Sequence, residues 1–229
     1  MFEHTDYFTM ERLSEQHLDA IEELQEVVRA SLENPDLLVP LSRVELKNIV
    51  TEDTGMTVGV FNVRDELVGI LGALYPGSSK ENLGYALAMD EEKAAQVFHL
   101  EITFIDPDYR RMGFMVTMCR WLVQLMKIEG RYRYLCATVS PYNIGSLKNM
   151  MLSGNAVVDF QLKYGGLERY IVFQDVTVPF DLHGQDIQYI PIQENPLAPV
   201  EYLEKGFLGT SLERIGQEIV MVMKYREKP

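Results

Sequence analysis

"DPDYRRMGFM", residues 106–115, is the stretch on which the reading of this 229-residue chain turns. Before it, "VFHLEITF" (97–104) alternates in the manner of a strand, and after it "VTMCRWLVQLMKI" (116–128) places apolar residues at helical spacing. The decamer is therefore a strand-to-helix turn, with Gly113 expected inside the first helical turn. The first N–H groups of a helix lack intrahelical partners and sit at the positive end of its dipole, so such a turn is an anion cradle. Gly113 lets the backbone approach a bulky phosphate, and Arg110 and Arg111 add positive charge at the same place. The same residues also fit a plain tight turn with two solvated arginines, and the motif alone does not separate the readings.

Working outward, "YFTMERLS" reads as a short strand and Ser14 as the cap of a helix with Leu18, Ile21, Leu24, Val27 and Val28 on one face. A break at "NPD" precedes Ser42 and Glu45, a capping-box pair that opens a shorter helix with Leu46, Ile49 and Val50. "MTVGVFNV" and "LVGILGALY" form a hairpin across "RDE". "PGSSKENLG" breaks the pattern, and "MDEEKAAQ" is a polar connection to the strand before the decamer. The long helix is followed by the strand "YRYLCATVS", a short helix in "PYNIGSLKNMMLSGN" that stops at Gly154, and a hairpin of "AVVDFQLKY" and "ERYIVFQDV" across "GGL". This order predicts an α/β fold: a mixed sheet with helices on both faces. Pro179 and "FDLHGQD" mark a boundary near residue 176, beyond which two further strands are predicted around a short helix.

Composition bounds the function. The chain has the length and apolar content of one globular domain with a substantial extension. Its apolar runs are too short to span a bilayer, and "MFEHTDYFTMERLSE" has neither a basic leader nor an apolar segment, so a cytoplasmic protein without membrane contact is expected. A net charge of −13 argues against sequence-independent nucleic-acid binding and is compatible with a cationic substrate. Cys119 and Cys136 sit in apolar runs without metal-ligand spacing, which predicts buried free thiols and no metal.

"ITFIDPDYRRMGFM" resembles motif A of the GNAT superfamily of acyl-CoA-dependent N-acetyltransferases, with Arg110 and Gly113 at its first two fixed positions. "NIGSLKNMMLSGN" resembles the family's motif B through Asn143, Ser146 and Gly154, and "KYGGLERYIVF" is similar to the terminal hairpin of one subgroup. The resemblance runs in order over residues ~6–175 and leaves 176–229 as a C-terminal extension. It implies a GNAT-like sheet with acetyl-CoA in a splay between the Ile102–Ile105 strand and "YLCATVS", and pyrophosphate on the amides of Arg111 to Met115. The implied cofactor contacts are Ile105, Arg110, Arg111, Met112, Gly113, Phe114, Met115, Asn143 and Ser146. For Asn143, a role beside the pantetheine arm and a plain role at the start of a helix both stand at this point. Met115 replaces the usual Gly or Ala, and Met150 replaces a tyrosine that protonates the departing thiolate in many members.

Strand alternation places His99, Glu101 and Thr103 on one face and Phe98, Leu100, Ile102 and Phe104 on the other. In the resembled family, the positions of His99 and Glu101 relative to Ile105 carry groups that take the proton of the attacking amine, directly or through water. Glu101 is the first choice of base and His99 the second. Both also fit half-buried polar residues facing a solvated channel. The implied activity is N-acetyl transfer to a small-molecule or peptide amine by direct attack. The alternative is a non-catalytic module that binds acyl-CoA or a partner; Met115 and Met150 favour it and Glu101 argues against it. The extension can complete the sheet, cover the substrate end or form a homodimer contact. "EIVMVMKY" would be a poor exposed edge, so it is expected to be paired within the chain or across a dimer.

Overall fold

The computed structural model describes residues 7–32, 40–180, 182 and 186–226. In chain order the elements are β1 (Thr9–Arg12), α1 (Leu18–Ala30), α2 (Arg43–Val50), β2 (Gly55–Phe61), β3 (Leu67–Leu74), α3 (Leu83–Ala86), α4 (Glu91–Ala94), β4 (Val97–Ile105), α5 (Phe114–Glu129), β5 (Tyr134–Val139), α6 (Ile144–Leu152), β6 (Ala156–Lys163), β7 (Leu167–Asp175), β8 (Ile187–Pro191), α7 (Val200–Glu204), β9 (Phe207–Ile215) and β10 (Glu218–Tyr225). The fold is α/β, mostly antiparallel strands flanked by helices. The "NPD" break lies outside the described residues.

The chain divides into two compact units, Met1–Pro76 with Phe98–Ile128, and Gly77–Val97 with Glu129–Pro229. In the first, β1 to β4 run side by side in sequence order, each antiparallel to the next. One face is covered by α1 and α2, whose Leu18, Ile21, Leu46 and Ile49 pack against Ile70 and Phe104. The capping box of α2 is present: Ser42 accepts from the Glu45 N–H, and the Glu45 carboxylate accepts from the Ser42 N–H at 2.8 Å. In α1 the predicted apolar stripe needs one correction. Val27 is 42% exposed, while Gln25 is buried in its place. Gln25 fits there because its amide satisfies both backbone groups of Leu41, accepting from the N–H at 2.8 Å and donating to the carbonyl at 3.1 Å. α5 takes the opposite face, where Met118 Cε lies behind Gly69.

In the second unit the strand order is β5-β7-β6-β9-β10-β8. The sequence predicted two strands after residue 176, and the described residues hold three, because β9 begins in "GFLG" directly after α7. β10, the "EIVMVMKY" run, is paired on both sides by β9 and β8, and β9 meets β6 at Gly209 and Val157. Its backbone is thus satisfied from within the chain. The short helix α3 is a further addition; Asn82 nucleates it by accepting from the Gly84 N–H and donating to the carbonyls of Gly77 and Ala94. Cys119 and Cys136 are buried free thiols, as predicted.

Gln25→Leu preserves side-chain size but leaves both Leu41 groups without their partner. It should lower unfolding stability by about 1–3 kcal/mol in urea titration; an unchanged midpoint would mean that the bonds contribute nothing net.

Candidate functional site

β4 carries the predicted polar pair. His99 is buried, 6% exposed, and its Nδ1 lies 3.4 Å from Oε1 of Glu101, whose side chain is 37% exposed. The predicted division of faces is wrong. β4 pairs regularly with β3 from Ile105 to Ile102, opposite Gly69 to Gly72, and the register then shifts so that Leu100 faces Ala73 and His99 faces Leu74. Glu101 is left without a partner residue, which is a β-bulge. Directly opposed residues share a face, so His99 joins Ile102 and Phe104 on the face of α1 and α2, while Thr103 joins Leu100 on the other. One inserted residue thereby keeps a buried imidazole and a solvent-reaching carboxylate in contact.

The same strand leads into the turn. The Asp106 carboxylate accepts from the Asp108 N–H at 2.9 Å and starts a single turn of 3-10 helix, Pro107–Tyr109. Tyr109 is held from two sides: its hydroxyl lies 3.0 Å from the Asn62 amide nitrogen, and its ring meets Phe8, which also packs edge-on against Phe114 at 4.8 Å. Asn62 is itself fixed in the β2–β3 turn, where its oxygen accepts from the N–H groups of Arg64 and Glu66. Arg110 does not point its charge at the cradle; its Nη2 donates to Ser31 Oγ at 2.8 Å, at the C-terminal cap of α1. Arg111 adopts φ +67° and Gly113 φ +83°.

Gly113 precedes α5 rather than lying inside its first turn. The Thr117 N–H donates to the Gly113 carbonyl at 3.1 Å, so the N–H groups of Phe114, Met115 and Val116 come before the first intrahelical donor. A Cβ placed on Gly113 would meet no atom within 4 Å. Arg111 and Met112 are exposed, and Phe114 and Met115 are half-buried. The turn is thus built by its neighbours and left open on the side of the helix N-terminus, a geometry that accepts an anion.

Motif B lies in the second unit. Asn143 caps α6, its oxygen accepting from the Ser146 N–H at 2.9 Å, so the role at the start of a helix is realised. Gly154 follows the helix at φ +97°. Met150 is 2% exposed and belongs to the core. Burial pushes the Cys136 thiol up to about 12, which removes its thiolate at neutral pH. Among the described residues no group of three or more His, Cys, Asp or Glu is arranged to hold a metal ion, and no helix is long and apolar enough to cross a membrane. Sequence reasoning missed Ser31, Asn62, Tyr109 and Phe8, which fix the turn. The sequence places Asn62 in the "MTVGVFNV" strand, but β2 ends at Phe61 and Asn62 opens the turn, from which it reaches Tyr109.

The sequence model of the acetyltransferase (GNAT) family matches residues 21–150, more than half the chain and inclusive of β4, the turn and the start of motif B. The chain belongs to the GNAT acetyltransferase family. Among solved structures, the GNAT chain resembles Arabidopsis thaliana NAA60 in complex with acetyl-CoA, with TM-score 0.57 and 12% identity over 75% of this chain and 100% of that one. It also resembles the Escherichia coli ribosomal-protein-S18-alanine N-acetyltransferase, with TM-score 0.52 and 13% identity over 79% and 99% of the two chains. A third likeness is to aminoglycoside acetyltransferase AAC(6')-Ib in complex with coenzyme A and kanamycin, with TM-score 0.55 and 12% identity over 74% and 95%. At this identity the likeness is one of fold. No curated protein sequence matches the chain.

Gly113→Ala adds a methyl group into open space but forces a left-handed backbone on an L-residue. It should lower stability by about 1–2 kcal/mol in chemical denaturation, and a loss near zero would show that the turn relaxes to another conformation.

Proposed function

We propose that this protein transfers the acetyl group of acetyl-CoA to a primary amine by direct attack, with both substrates bound together. The observation that carries the reading is that one strand, β4, bears the His99–Glu101 pair and ends in the open N-terminus of α5. The open space at Gly113 fits a phosphate-bearing cofactor, since that is where a side chain would stand in its way. In this reading the amides of Arg111, Met112, Gly113, Phe114 and Met115 hold the pyrophosphate, with Arg111 supplying charge and Ile105 flanking the strand end. Arg110 holds the turn through Ser31. Residues 1–175 are taken as the acyltransferase domain and 176–229 as an extension to it.

Acetyl-CoA supplies an activated thioester, whose thiol has a pKa near ~8.5 and leaves more readily than an amine of pKa ~10.4. The remaining chemistry falls to the chain. Glu101, reaching solvent from the bulge, accepts the proton of the attacking amine directly or through a water. His99, behind it and buried, fixes the carboxylate and can share that proton. Cys119 and Cys136 are both buried, away from any acyl donor in solution, which fits direct transfer. Met150 gives no acid, and the low pKa of the leaving thiol makes one dispensable.

The acceptor is a small-molecule or peptide amine. The solved structures of this fold name an aminoglycoside complex and a ribosomal-protein alanine acetyltransferase, and the acidic balance favours a cationic acceptor. Met115 and Met150, which stand where the family usually has Gly or Ala and a tyrosine, favour a second reading, a module that binds acyl-CoA or a partner protein without turnover.

Glu101→Gln is expected to reduce turnover by ~10²–10⁴-fold with little change in acetyl-CoA affinity, measured as thiol release with a panel of amines. Equal activity of variant and parent would remove Glu101 from the mechanism, and binding without any release by the parent would support the module.

A further inference from the structure

A cleft of about 690 Å³ opens in the second unit, and none of its lining residues belongs to β4 or to the turn before α5. Leu87, Met89, Val158, Phe173, Phe180 and Leu208 form its apolar walls. The aromatic part is rigid: Tyr134 stacks on Phe173 at 6.0 Å, and Phe180 meets Phe173 edge-on at 5.9 Å. Both the volume and the apolar character are those of small-molecule sites, which run from roughly 300 to 1,000 Å³. Val178, Pro179, Phe180, Leu208 and Arg226 come from the segment after β7, so the C-terminal extension contributes part of the lining.

Charge narrows the ligand. Among the described residues three charged ones line the cleft: Lys93, Asp175 and Arg226. Asp175 is already committed. Its carboxylate accepts from Arg133 Nη2 at 2.7 Å and Nε at 3.0 Å, and from the Thr177 hydroxyl and the N–H groups of Thr177 and Val178. Burial works to raise this carboxyl, but those hydrogen bonds outweigh it and hold it below its ordinary range, ionised and matched by Arg133. Lys93 lies 3.5 Å from Asp90, outside the lining. The Arg226 guanidinium lies over the Phe180 ring at 5.4 Å, at the end of β10. Among the described lining residues Lys93 and Asp175 are each matched by an opposite charge, Asp90 and Arg133, which leaves Arg226 as the cation for a ligand.

We propose that this cleft binds a small amphipathic carboxylate, with its apolar body between Phe173, Phe180 and Leu208 and its anionic head on the Arg226 guanidinium. An arginine stacked on an aromatic ring keeps its edge N–H donors available, and that planar fork matches a carboxylate. The lining shares no residue with those assigned to acetyl transfer, which makes the cleft a second site.

The test is isothermal titration of the full chain with sodium octanoate, octanol and octylamine, all below their aggregation concentrations. One octanoate should bind per chain, at least about tenfold tighter than either neutral or cationic analogue. Arg226→Gln should weaken octanoate about tenfold or more and leave octanol unchanged. Arg226→Lys should restore part of the loss, and Leu208→Trp, which fills the wall, should weaken both ligands. Thermal melts of each variant establish that it is folded. Saturating acetyl-CoA should leave octanoate binding unchanged. The proposal is overturned if octanoate does not bind, if the three head groups bind equally, if Arg226→Gln has no effect in a folded protein, or if acetyl-CoA displaces octanoate.

Discussion

Gly113 holds φ +83° immediately before α5, and contacts from three other segments of the first unit converge on the turn that contains it. A helix N-terminus attracts an anion only if nothing stands in front of it. Gly113 secures this with no Cβ, and its neighbours secure it by anchoring every other side of the turn: Asp106 caps the preceding 3-10 turn, Tyr109 is held by Asn62 and Phe8, and Arg110 is tied to Ser31. These anchors come from the β2–β3 hairpin, the segment before β1 and the end of α1. The turn therefore depends on a folded core, and the core in turn places it at the end of β4.

The same strand shows how a small irregularity redistributes side chains between faces. A regular β4 would have put His99, Glu101 and Thr103 on a common face. The bulge at Glu101 turns His99 toward the α1 and α2 face, where it is buried, while Glu101 reaches solvent and remains 3.4 Å from it. In the proposed reaction the accessible Glu101 carboxylate would meet the amine, with the buried imidazole 3.4 Å behind it.

What was legible in the sequence follows from the range of the forces involved. Local signals were reliable. The Ser42–Glu45 capping box, Gly154 after α6, both predicted hairpins and the β4–turn–α5 unit all depend on residues close together in the chain. The bulge was not legible, because it is a mismatch between β4 and β3, and neither strand alone records it. Val27 and Gln25 were misassigned for a similar reason: periodicity cannot anticipate that a buried amide will find both backbone groups of Leu41, sixteen residues away. The partnership of Asn62 with Tyr109, across 47 residues, is another of this kind. In the C-terminal segment, β9 escaped notice because it runs on from α7 through Gly206 without a clear break in pattern.

The central claim, that the turn before α5 holds the phosphates of acetyl-CoA, is tested most directly by isothermal titration of the purified protein with acetyl-CoA beside Gly113→Trp, with circular dichroism to establish that both are folded. The account predicts saturable binding to the parent and none to the variant, because the indole occupies the space that the pyrophosphate needs. Equal binding to both would place the cofactor elsewhere. No binding to either folded protein would mean that this GNAT fold has given up its cofactor.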